Sequence, residues 1–72
     1  MRTETEIRLE RQKAHLLEIK DGLKEVGQAV EEALKNGDTE KATMLYVEHY
    51  RMAREYFRTE DEVEYLKFIC ED

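Results

Sequence analysis

The sequence predicts an all-α protein, an antiparallel hairpin of two long heptad-patterned helices that dimerises into a four-helix bundle. Three observations predict it. Apolar residues recur in heptads through both halves of the chain, an Asn36-Gly37-Asp38 bend separates the halves, and one fold-back register sets the two rows face to face. Apolar a and d positions of a heptad mark helices that bury a narrow seam against a partner.

Arm one covers about residues 3–35. Leu9, Leu16, Leu23 and Val30 recur every seven residues as a positions, and Gln12, Ile19, Val26 and Ala33 follow each by three as d positions. Thr3 with Glu6, or Thr5 one turn later, supplies the helix start, the hydroxyl accepting a backbone N–H and the glutamate reaching back. The stop is Asn36-Gly37, because glycine takes up the left-handed conformation that ends helices.

The turn occupies residues 36–38, and arm two covers about residues 39–71. Asp38 or Thr39 caps it, with Glu40 well placed at the positive helix end. Its seam reads Ala42, Leu45, His49, Met52, Tyr56, Thr59, Val63, Leu66 and Cys70, alternating by three and four without a slip.

Pairing the arms gives an internal check on the hairpin. Ala33 falls opposite Ala42, Val30 opposite Leu45, Val26 opposite His49, Leu23 opposite Met52, Ile19 opposite Tyr56, Leu16 opposite Thr59, Gln12 opposite Val63 and Leu9 opposite Leu66. Each pair of residue numbers adds to 75, as do Gly37 and Asp38 at the bend. Two unrelated helices have no reason to satisfy one register. On the flanks it expects Lys13 near Glu60, His15 near Glu62, and Gly27 near the bulky Tyr46. At about 1.5 Å per residue, arms of roughly 33 residues are about 50 Å long.

The alternative is a three-helix bundle with a break near Thr59. Arg58-Thr59-Glu60-Asp61-Glu62-Val63 echoes Arg2-Thr3-Glu4-Thr5-Glu6-Ile7, and both carry a Thr-x-x-Glu capping box. Asp21-Gly22 is a weaker place for an interruption, glycine costing about 1 kcal/mol against alanine within a helix.

Composition agrees with long helices and limits the function classes. Charged residues make up 42% of the chain and proline is absent, a mixture typical of coiled coils. Disorder does not fit, since a disordered acidic segment has no need of periodic apolar residues. At 72 residues the chain is a single helical domain, 1–72, whose one core is thin enough to favour oligomerisation. Net charge is −6, and between residue 58 and the end six acids (Glu60, Asp61, Glu62, Glu64, Glu71, Asp72) outweigh Arg58 and Lys67. Such a balance repels phosphate backbones and favours a basic protein surface as partner. Cys70 is the sole cysteine, which fits a reducing, cytoplasmic setting. The opening Met1-Arg2-Thr3-Glu4 stretch has no signal-peptide apolar core, and no apolar run nears the roughly 18 residues of a membrane span.

No constellation specifies a chemistry. His49 occupies an a position with Val26 opposite and Tyr46, not glutamate, three residues before it, so the Glu-x-x-His pattern of metal-carboxylate bundles is missing. His49 reads as a core histidine and Cys70 as a small apolar seam residue. Gly22, Gly27 and Gly37 form no phosphate-cradling loop. The chain is expected to be no enzyme and to need no cofactor or metal.

One apolar feature lies outside the seam. Tyr46, Tyr50, Ala53 and Phe57, spaced four, three and four, line one helical face beside it. Val47, Tyr65 and Phe68 add to the apolar surface of arm two, and Ile7, Ala14, Leu17 and Leu34 to that of arm one. Clustered aromatics supply large contact area with a polar handle, so Tyr46, Tyr50, Ala53, Phe57, Val47, Phe68 and Leu17 are the candidate protein-binding residues. The expected function is a non-enzymatic interaction module, a small adaptor, inhibitor or regulatory subunit acting as a homodimer. The alternative is a nucleic-acid-binding hairpin dimer using Arg51, Arg54 and Arg58, although Glu48, Glu55 and Glu62 interleave with that basic run.

The stretch Asn36-Gly37-Asp38-Thr39-Glu40-Lys41-Ala42, followed by Leu45-Tyr46, resembles the turn and second-helix start of tetratricopeptide and related helical-hairpin modules. The likeness covers about a dozen residues. No second copy occurs, and the heptads of arm one are not that repeat's pattern. The likeness is one of turn chemistry and carries no function across.

Overall fold

The computed structural model describes residues 3–71, so Arg2 and Asp72 lie outside the described residues. Two helices, α1 (Glu4–Lys35) and α2 (Thr39–Glu71), fold back on each other as a hairpin. Its Cα extents are 54 × 17 × 13 Å, close to the length that the arms imply.

Local chemistry fixes the three boundaries. At the start, the Glu6 N–H donates to the Thr3 hydroxyl at 3.2 Å, which in turn donates to the Glu6 carboxylate at 3.2 Å. Thr3, not Thr5, is therefore the cap. At the bend, Gly37 takes φ +72°. The Asp38 N–H reaches back to the Ala33 carbonyl at 2.9 Å and the Gly37 N–H to that of Leu34 at 3.1 Å, the paired bonds of a Schellman stop. Asp38 then opens α2, its carboxylate accepting the Lys41 N–H at 3.1 Å and its carbonyl the Ala42 N–H at 3.0 Å. One residue closes the first helix and caps the second.

Burial follows the heptad frame. From Leu9 to Leu66 every a and d residue is buried or half-buried, and every b, c and f residue of the two helices is exposed between those limits. Ile19, Ala33, Ala42, Val63 and Leu66 form the buried apolar core, with Thr59 the buried polar residue. Among the described residues no large side chain is fully buried, as expected of a seam only one side chain deep.

Several expectations need correction. α2 runs unbroken through Thr59, so there is no third helix. Thr59 is too deep in the seam to cap one, and the Glu62 carboxylate turns to arm one, accepting from Arg8 Nη2 at 2.6 Å and Gln12 Nε2 at 2.9 Å. α1 likewise passes through Asp21-Gly22 without a break. A Cβ on Gly22 would overlap the Met52 Cε methyl, so this glycine admits a long seam side chain. Gly27 faces the His49 ring rather than Tyr46, which stays exposed. Cys70 continues the seam in sequence but is exposed, lining a surface pocket with Thr3, Thr5 and Glu6 at the free helix ends.

The glycines differ in what they allow, and substitutions should show it. Gly27→Ala meets only ordinary contact, 4.0 Å from His49 Nε2, and should stabilise the hairpin by about 1 kcal/mol through reduced unfolded-state entropy. Gly37→Ala places a Cβ in the left-handed region and should destabilise it by about 1 kcal/mol or more. Urea melts followed by circular dichroism measure both, and equal shifts of the same sign would refute the assignment.

Candidate interaction surface

The hairpin has two broad faces, and the heptad frame assigns their residues. In an antiparallel pair the g positions of the two helices adjoin along one face and the e positions along the other. Arg8 and His15 of α1 and Glu55 and Glu62 of α2 are g residues. Their contacts are Arg8 Nη2 with Glu62 at 2.6 Å and His15 Nε2 with Glu55 at 3.1 Å, while Glu18 lies 3.8 Å from His15 Nδ1. This face is polar and cross-linked between the helices. His15 was expected near Glu62 and instead pairs one heptad away, since Arg8 and Gln12 occupy that carboxylate.

The opposite face has a different chemistry. Tyr46 and Ala53 are e residues of α2, and Tyr50 and Phe57 are its b residues, so the four form a continuous strip beside the seam. Tyr46, Tyr50 and Phe57 are 66%, 60% and 62% exposed. Ala53 is half-buried where the strip meets the seam. The Phe57 ring rests edge-on against the seam residue Tyr56, with centroids 5.7 Å apart and planes at 79°, a favourable aromatic geometry. Leu17, a b residue of α1 and 63% exposed, lies at the level of Phe57 in the register.

The remaining candidates are placed elsewhere. Val47 and Phe68 are f residues on the back of α2, and Tyr65 is a c residue toward the polar face. All three are exposed. Arg51, Arg54 and Arg58 line a groove with Gln12, His15 and Thr59, but Glu55 and Glu62 line it too. Lys13 makes no ion pair with Glu60.

His49 is half-buried in the seam beside Gly27. Among the described residues no three His, Cys, Asp or Glu side chains gather as a metal site would require, and no helix is long and apolar enough to cross a membrane.

The Arg8–Gln12–Glu62 cluster went unforeseen, although Gln12, polar in the d row that continues with Ile19, Val26 and Ala33, was its visible signal. Comparison with protein-family models, curated proteins and solved structures finds no match for this chain. What it does has to be argued from its own surface.

Proposed function

We propose that the chain is a non-enzymatic protein–protein interaction module that works as a homodimer, two hairpins packing as a four-helix bundle. The contact face is the strip of Tyr46, Tyr50, Ala53 and Phe57, with Leu17 beside it. The observation that carries this reading is the exposure of three aromatics in a row on one face of a protein whose own core is thin. Apolar clusters of this kind mark association surfaces.

Size supports it as well. A face of 54 × 17 Å between Cα atoms offers about 900 Å² per copy, against roughly 800 Å² per partner in a standard stable interface. Covering it would give the core the second layer that one hairpin lacks.

Val47, Phe68 and the acidic Asp61, exposed f residues on the back of α2, stay on the outside of such a dimer. They are the surface left for a further partner with basic character, in the role of a cytoplasmic adaptor, inhibitor or small regulatory subunit. Sedimentation equilibrium at micromolar concentration tests the reading. The expected mass is that of two 8.6 kDa chains, and a compact monomer would refute it. Nucleic-acid binding through Arg51, Arg54 and Arg58 would instead give an RNA affinity falling steeply with salt, and none is expected at about 50 mM salt.

A further inference from the structure

Resting on the self-association just proposed, we infer that the two copies pack bend to bend, with the twofold axis along the hairpin and α1 of each copy lying on α2 of the other. Two face-to-face arrangements satisfy twofold symmetry. If the axis runs along the hairpin, both bends lie at one end and residues at the same level meet. If it runs across, the ends are swapped, α1 lies on α1 and α2 on α2. Both cover the aromatic strip, so charge decides between them.

Along the middle of the α1 side of the aromatic face stand Lys13, Lys20 and Lys24, with Glu10 and Glu31 toward the two ends, all exposed. Among the described residues none of the three lysines has an ion-pair partner. The α2 side is aromatic toward the bend and charged toward the open end, where Glu60 and Glu64 continue the e and b rows of Tyr46 and Tyr50 and Lys67, the next e residue, lies 3.8 Å from Glu64.

In the bend-to-bend arrangement the register sets Lys13 beside the partner's Glu60 and the partner's Glu64, and Leu17 on the partner's Phe57. Lys24 lies over the ring of the partner's Tyr50, a cation–π placement, and Gly27 leaves room for the partner's Tyr46. With ends swapped, the lysine row of one copy lies along the lysine row of the other, and Glu60 and Glu64 gain no cation. Like charges set face to face discriminate strongly against an arrangement.

Cys70 makes the distinction measurable in the unmodified chain. It is exposed at the open end, so bend-to-bend packing puts both thiols at one end of the dimer. End-swapped packing separates them by nearly the 54 Å length of the hairpin. A short bismaleimide should therefore join most wild-type chains covalently, at a rate that does not fall on dilution while the dimer persists. Lys13→Glu should weaken the dimer about tenfold, one surface pair being lost at each of two symmetric places, and adding Glu64→Lys should restore it.

A sedimenting dimer whose Cys70 thiols do not join, but in which Asn36→Cys/Cys70→Ser chains join to wild-type Cys70, would overturn the arrangement while keeping the dimer. A monomer in sedimentation would overturn both.

Discussion

With Tyr50 and Phe57 both changed to glutamate, the chain should sediment as a monomer at concentrations where the wild type is dimeric, while Arg54→Ala should remain a dimer. Each aromatic counts twice in a symmetric interface, so the double variant removes four rings. At about 2 kcal/mol or more for a buried aromatic anchor, the loss is roughly 8 kcal/mol, which turns a nanomolar dimer into one with a Kd of about 1 mM, monomeric at micromolar concentration.

Glutamate favours helix more than tyrosine or phenylalanine does, and both positions are exposed b residues. The helical signal in circular dichroism should therefore persist. Arg54 sits on the back of α2 and tests whether any change on this helix is enough. A double variant that still sediments as a dimer would sink the proposed face.

Ile19→Ala should cost about 3 kcal/mol and lower the melting temperature by roughly 15 °C at fixed protein concentration. Ile19 is only 6% exposed and lies opposite Tyr56 in the register, one of five buried apolar residues among those described. With so few, no neighbouring layer can collapse into the space left. A core this small supplies about 3–5 kcal/mol in total, so most of the margin is lost. Met44→Ala is the control. Met44 is 69% exposed, and its truncation should move the melting temperature by no more than a few degrees, whereas equal effects at the two sites would contradict the seam.

The hairpin was legible in the sequence because its determinants are local or periodic. Thr3 and Glu6, Gly37, and Asp38 with Lys41 each act within a few residues, and the a and d rows repeat often enough to define a register. Thr59-x-x-Glu62 misled for the reverse reason. The motif is a start signal only where its backbone N–H groups lack partners, and inside a packed helix the seam claims Thr59 while Arg8 and Gln12 claim Glu62.

Flanking contacts were harder to read. The repeat offers His15 two carboxylates one heptad apart, and competition for Glu62, not periodicity, assigns it Glu55. The aromatic strip was visible as a pattern, but spacing within one chain does not encode what packs on it.

The Asp38 hinge also sets a rotational phase. With no residue between the Schellman stop and the next helix cap, the bend determines which side of α2 meets α1. Each residue turns an α-helix by about 100°. One residue more in the bend would advance α2 so that Glu48, Glu55 and Glu62 rolled into the seam. One fewer would bury Tyr50 and Phe57 there instead, leaving no aromatic face to offer. Three residues at one tip thus decide, along the full length of the hairpin, what is core and what is surface.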